Sequence, residues 1–252
     1  PSSLHRAGLD AELLVSDARE IIADALGVTP DEVYFTSGAT ESNNTAIFGA
    51  YKAHGKRKKR VVISSVEHPA VKNPAQELED MGCEVIRISP DENGEINARD
   101  IFAAVNEDTF LVSCMLVNNE NGYILPVEKA FSMIKKKYPQ VLTHCDCVQG
   151  FMKIPVKAKK LNADMISLSG HKIYAPKGIG ALYVKKGIHI PPFMLGGGQE
   201  KGFRSGTESV PLICGFGAAV KKLAPNVSAN FEKAADIQAY LIEKCNENGD
   251  VF

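Results

Sequence analysis

Hydrophobic positions follow two periods along this chain, and the switch between them recurs from end to end. Over residues 10–26, Leu13, Leu14, Ala18, Ile21, Ile22, Ala25 and Leu26 recur at helical spacing, and Gly27 ends the pattern. Short apolar runs at 33–36, 61–64, 84–88, 110–117, 141–145, 165–168 and 181–184 predict strands. Helical spacing returns between them at 41–54, 69–81, 97–106 and 127–138, and again near 208–223 and 229–247. Strands alternating with helices over 30–185 predict an α/β fold, a mostly parallel seven-stranded sheet covered by helices. In such a sheet ligands gather beyond the C-terminal ends of the strands.

Polar residues sit at those ends. The first strand runs into Ser37-Gly38-Ala39-Thr40-Glu41-Ser42-Asn43 and then a helix. A helix start suits an anion, because free N–H groups and the helix dipole favour phosphate. Thr40 adds a hydroxyl donor there, or serves merely as an N-cap. The second strand leads to Ser65-Val66-Glu67-His68-Pro69, with Pro69 suited to a first helical turn; His68 there is a structural or a functional histidine. Asn118 and Asn119 follow the strand at 110–117 and offer amide donors or form a plain turn. Asp146-Cys147-Val148-Gln149 follows 141–145, where a buried carboxylate needs a backbone amide or a ligand's cationic nitrogen as partner. Ser169-Gly170-His171-Lys172 lies between two buried strands. Lys172 taken alone is equally an ordinary solvated lysine; its shared position with the other strand-end groups is the stronger signal.

Composition narrows the field. The 252 residues suffice for one large α/β domain or two small ones, and 44% hydrophobic with 23% charged residues is an ordinary globular balance. A formal net charge of −1 gives no global attraction to nucleic acid or membrane, and the basic run Lys56–Arg60 is expected to be a solvated loop. No apolar stretch approaches the ~20 residues that span a bilayer, and the first residues lack a signal peptide's apolar core. The six cysteines are scattered and form no disulfide framework, so a reducing cytoplasm is expected. The start at Pro1 without methionine, and the stop at Phe252 directly after a helix, predict a fragment of something longer. Pro225-Asn226-Val227-Ser228 is the one boundary expected: residues 1–224 as a large domain, 225–252 as the beginning of a link or helix toward a smaller C-terminal domain.

One cofactor would employ all the strand-end groups. Pyridoxal phosphate presents an aldehyde for a lysine, a ring nitrogen for a carboxylate, a ring hydroxyl, and a phosphate for a helix start. A histidine can stack on the ring and move protons near neutral pH. No metal is expected.

Six stretches carry a family resemblance: 36–43, 66–71, 117–122, 144–150, 169–180 and 196–208. From Pro1 to about residue 223 the chain resembles cysteine desulfurases, enzymes of the class V aminotransferase fold that use pyridoxal phosphate. The resemblance implies the large domain of a pyridoxal phosphate-dependent transferase. Lys172 would bond the aldehyde, Asp146 would pair with the ring nitrogen, and Gln149 would contact the ring oxygen. His68 would stack on the ring and carry protons, and Asn119 would lie near ring and substrate. Ala39, Thr40, Ser169 and His171 would hold the phosphate. Thr207 would reach the cofactor phosphate of a neighbouring subunit, which implies a homodimer with shared sites. The implied reaction converts L-cysteine to L-alanine and passes persulfide sulfur to an acceptor or scaffold protein, as in iron–sulfur cluster assembly.

The chain also departs from that pattern. The family's nucleophilic cysteine and its substrate-gripping arginine would fall beyond Phe252, and its N-terminal segment before Pro1, so this stretch alone is expected to be inactive. Cys145 and Cys147 flank Asp146 where the family has small or apolar residues, and they read as packing residues rather than nucleophiles. Rival readings are a selenocysteine lyase or aminotransferase of the same fold, or a non-catalytic dimerisation or scaffold protein.

Overall fold

A computed structural model describes Pro1 and residues 5–247. Helix α1 (Arg6–Leu26) is capped by His5, whose Nδ1 accepts from Gly8 N, and stops at Gly27 with φ 70°. Then follow β1 (Val33–Thr36), α2 (Ala39–His54), β2 (Arg60–Ser64), α3 (Pro69–Asp80), β3 (Glu84–Ile88), α4 (Ala98–Ala103) and β4 (Thr109–Ser113). The second half holds α5 (Val127–Lys137), β5 (Leu142–Asp146), α6 (Ala158–Leu161), β6 (Met165–Ser169), β7 (Gly180–Val184), α7 (Val210–Leu223) and α8 (Val227–Glu247). The seven strands form one sheet in the order β1-β7-β6-β5-β4-β2-β3. Neighbours from β3 through β6 run parallel; β7 alone is reversed, antiparallel to both β6 and β1.

Successive side chains of a strand point to opposite faces, and here each face has its own core. Val62, Val112, Ile166, Leu168 and Ala181 pack with buried residues of α1, α4, α5 and α7. Val61, Ile63, Leu111, Met165 and Leu182 pack with α2 and α3. The buried stripe of α2 consists largely of small residues, Ser42, Thr45, Ala46, Gly49 and Ala50, so this helix lies close to the sheet. Helix α8 is different: only Val227 is buried, while Phe231, Tyr240 and Leu241 are exposed. No helix among the described residues is long and apolar enough to cross a membrane.

Several expectations need correction. In α1 the buried stripe is Val15, Ala18, Ile22 and Leu26, while Leu13 and Leu14 are exposed. Residue type misled there, because the packing phase of the helix follows the i, i+3, i+7 series against α7. Strand β4 ends at Ser113 rather than Val117, since Met115 N leaves the ladder to bond Glu67 and Val117 makes only an isolated bridge with Ile124. The helix expected over 97–106 is confined to Ala98–Ala103. Asp146 is the last residue of β5, not the first beyond it. Thr40 is no N-cap: Gly38 occupies that position, and no side chain caps the helix. In the basic run, Arg60 donates two hydrogen bonds to the Glu84 carboxylate and Lys58 Nζ donates to the Glu107 carbonyl, so part of its charge is engaged locally. All six cysteines are free, and Cys83, Cys114, Cys145 and Cys147 are buried. Residues 248–252 of the expected C-terminal link lie outside the described residues.

Candidate active site

The loops after β1, β2, β4, β5 and β6 open on one cavity of about 700 Å³, within the range of small-molecule sites. Ala39, Thr40, His68, Asn119, Asp146, Gln149, Ser169, His171 and Lys172 all line it. Thr207 does not; it lines a separate hollow of about 140 Å³ with Arg204 and Glu208, and its side chain is exposed.

One end of the cavity is built for an anion. Gly38 adopts φ 151° and ψ 178°, a conformation essentially confined to glycine, and the start of α2 that follows has no side-chain cap. Its first N–H groups are therefore available beside the Thr40 hydroxyl. Across from them, Ser169 Oγ and His171 Nδ1 lie 2.8 Å apart on the turn after β6. Burial, with help from Lys172 and Lys177, pushes the His171 pKa down. Gly180 allows this turn to pack: a Cβ there would lie 2.5 Å from the Leu168 carbonyl oxygen and 2.7 Å from Gly38 Cα. Glu41 also borders the cavity, but its carboxylate accepts from Arg204 Nε at 2.8 Å and from Ser37 N at 2.9 Å. Burial works to raise the Glu41 pKa, and the bonds from Arg204 and Ser37 outweigh it, holding the carboxyl below its usual range.

The other end is built for a cation. Asp146 is buried and accepts from Asn43 Nδ2 at 2.7 Å and from Val148 N at 3.0 Å. Burial raises its pKa, against the lowering effects of those two bonds and of nearby His68. Among the described residues no cationic side chain bonds to it, so a protonated ring nitrogen would supply the partner that a buried carboxylate needs.

His68 and Lys172 line the same cavity. His68 caps α3, its Nδ1 accepting from Ala70 N at 3.1 Å, so the neutral ring carries its hydrogen on Nε2. Lys172 stands on the 3-10 turn Gly170–Ile173 and makes no hydrogen bond or ion pair among the described residues. Gln149 Oε1 accepts from Lys153 Nζ at 2.6 Å, and Asn119 Nδ2 donates to Glu120. An uncapped helix start, a buried carboxylate without a cation and an unpaired lysine in one cavity fit the phosphate, ring nitrogen and aldehyde of pyridoxal phosphate.

Sequence reasoning missed three supporting residues. Asn43 was a polar position on the sheet-facing stripe of a predicted helix, which is a legible signal. Glu67 gave none. It is wholly buried, Oε1 accepting from Met115 N at 2.7 Å and from Ser64 Oγ, and Oε2 is without a hydrogen-bond partner among the described residues. Burial drives its pKa up to about 8 in spite of those bonds, with nearby Asp146 adding to the rise. Lys153 carries no signal of its own in the sequence; its contact with Gln149 arises only in the folded turn.

The sequence pattern of the Aminotransferase class-V family matches residues 1–251. A protein of Dictyoglomus turgidum described as cysteine desulfurase IscS is 40% identical over 253 residues, covering 100% of this chain and 64% of the relative. Among solved structures, a NifS-like protein superposes with a TM-score of 0.94 at 39% identity, covering 98% of this chain and 68% of that one. A structure of SspA in complex with cysteine gives a TM-score of 0.85 at 40% identity, covering 94% and 69%. The chain thus spans about 64% of the length of the Dictyoglomus relative.

Proposed function

The chain belongs to the class V aminotransferase family, and we propose that it carries the cofactor-binding part of a pyridoxal phosphate-dependent cysteine desulfurase. Residues 1–224 form the large domain in this reading, and α8 leads toward a smaller one. The substrate is L-cysteine, and the products are L-alanine and a persulfide passed to an acceptor or scaffold protein. The observation that carries the reading is Lys172, unpaired, in the same cavity as buried Asp146 and the uncapped start of α2. The similarity to a desulfurase and to a protein solved with cysteine supports this substrate. Buried free cysteines suit a reducing compartment, the cytoplasm.

Pyridoxal phosphate, when bound, supplies an aldehyde for amines and a ring that draws electrons from the substrate. The residues of the chain do the rest. The first N–H groups of α2, with Thr40, Ser169 and His171, bind the phosphate. Asp146, oriented by Asn43, keeps the ring nitrogen protonated. Gln149 would hold the ring oxygen, and Asn119 would lie beside ring and substrate. Lys172 Nζ, unpaired in the cavity, would hold the aldehyde and would serve as a proton carrier. His68 would lie against the ring and would carry a proton at Nε2, since its Nδ1 is taken by Ala70 N. Cys145 and Cys147 are fully buried and Cys145 is pushed well above the usual thiol range by burial, so neither suits the sulfur-accepting thiol. Thr207, exposed and outside the cavity, serves a second copy, giving a homodimer with shared sites.

The test uses the full-length protein with pyridoxal phosphate and L-cysteine. Alanine and sulfide should appear in the presence of a thiol reductant and without any keto acid. Product formation that requires a keto acid would replace this reading with a transaminase. Lys172→Ala should abolish the visible absorbance band of the bound cofactor.

A further inference from the structure

Resting on that reading, we propose that Lys153 is a positioning residue: it fixes the Gln149 side-chain amide so that the NH2 group, not the carbonyl, faces the oxygen on the cofactor ring. A lysine ammonium only donates, so the Gln149 atom bonded to Lys153 Nζ at 2.6 Å is the carbonyl Oε1. An amide has one oxygen, and its NH2 group is then left for the cavity that Gln149 lines. An unrestrained glutamine can turn its amide over and present the oxygen instead. That would set two acceptors against each other at a ring oxygen that carries negative charge when ionised. Lys153 removes the ambiguity.

The backbone is shaped to make this contact. After β5 the chain turns twice, with Phe151 N bonded to Cys147 O and Ile154 N bonded to Gly150 O. Between them Met152, largely buried, takes φ 59°. A left-handed conformation in a residue other than glycine is unfavourable and persists only where surrounding structure holds it. Here it returns Lys153 over Gln149, four residues back. Lys153 forms no ion pair among the described residues, so its contact with Gln149 is not a by-product of a salt bridge. Partial burial and the charge of Lys172 both push its pKa down.

Full-length protein titrated with pyridoxal phosphate provides the test, read as the Kd and as the pH midpoint of the visible band. Lys153→Met should bind about threefold more weakly, the scale of one exposed charged contact, and should move the midpoint upward because a nearby cation is gone. Lys153→Arg, which keeps the charge and the donor, should restore both. In a Gln149→Leu background the Lys153→Met change should no longer weaken binding. Wild-type Kd and midpoint in Lys153→Met would overturn the proposal, and so would an undiminished loss in the Gln149→Leu background, since Lys153 would then act independently of Gln149. A wild-type protein that fails to bind pyridoxal phosphate would overturn the parent reading itself.

Discussion

Asn43 and Asp146, 103 residues apart in the chain, are joined by a 2.7 Å hydrogen bond beneath α2. The small residues on the inner stripe of α2 bring the helix near enough to the end of β5 for the contact to form. The carboxylate is buried and has one other donor, Val148 N. Loss of a bond to a buried charge costs about 2 kcal/mol. Asn43→Ala should therefore lower the urea-unfolding free energy by about that much and weaken pyridoxal phosphate binding. Asn43→Asp should be worse, because it sets a second carboxylate against the first; tolerance of that change would mean that Asp146 is not an anion in the fold.

Glu67 should make stability fall as pH rises. Its folded pKa is about 8 against an ordinary 4.5, so the fold binds a proton that the unfolded chain has lost in between. The stabilising contribution is complete below about pH 4.5 and is lost as pH rises through about 8. At about 1.4 kcal/mol per pKa unit it amounts to a few kcal/mol at most. Urea midpoints measured across that window should fall in the wild type, and Glu67→Gln, which keeps an acceptor for Met115 N, should flatten the decline.

His144 should act in the opposite direction. It is buried between Ser113 Oγ at 2.8 Å and Ser167 Oγ at 2.9 Å, and burial lowers its pKa from 6.5 to about 3. The fold resists protonation there, so this contribution is present above about pH 6.5 and is lost as pH falls through about 3. Between about pH 4.5 and 6.5 the two residues oppose each other, and the wild-type profile should be flatter than that of either single variant. His144→Gln should remove the acid decline and expose the loss due to Glu67. An unchanged profile in both variants would count against both assignments.

These two residues also show what the sequence could reveal. Strand count and the cavity at the strand ends were legible because apolar periodicity and strand-end polar residues are local signals, whereas the order of the strands and the reversal of β7 are set by pairings distant in the chain. Nine candidate residues, from Ala39 to Lys172, line one cavity for that reason. The phase of α1 was not legible, because Leu13 and Leu14 are apolar yet face outward, and only α7 decides which stripe is covered. Nor was Glu67. A glutamate next to a histidine reads as a solvated pair until the turn after β4 is seen to close over it.

Arg19 and Glu200 should govern the glycine-rich segment 196–206. Glu200 is buried with φ 49°, and accepts from both Arg19 guanidinium nitrogens at 2.7 and 2.8 Å and from Phe35 N at 2.9 Å. Removing one partner of a buried pair costs about 3 kcal/mol. Arg19→Met should lower the melting temperature and speed tryptic cleavage after Lys201 and Arg204. Cleavage at the wild-type rate would show that the segment is held by its other contacts, such as Arg204 with Glu41.

Gly180 should be the least replaceable glycine of the sheet. Its φ is not unusual, so the constraint is space rather than backbone conformation. A Cβ would fall 2.5 Å from the Leu168 carbonyl oxygen and 2.7 Å from Gly38 Cα, both backbone atoms that cannot rotate away as a flexible side chain would. The strain would be relieved by shifting β7 from β6 or by moving the turn at Gly38. The β6–β7 ladder pairs Ser169 with Gly180 directly, so the first route costs sheet bonds. The second displaces the start of α2, where the phosphate is held in the proposed site. Overpacking of this kind costs about 1–3 kcal/mol. Gly180→Ala should therefore lose both unfolding free energy and affinity for pyridoxal phosphate, with inorganic phosphate competing less well for the site. Loss of stability with unchanged affinity would show that the sheet yields and the turn at Gly38 does not.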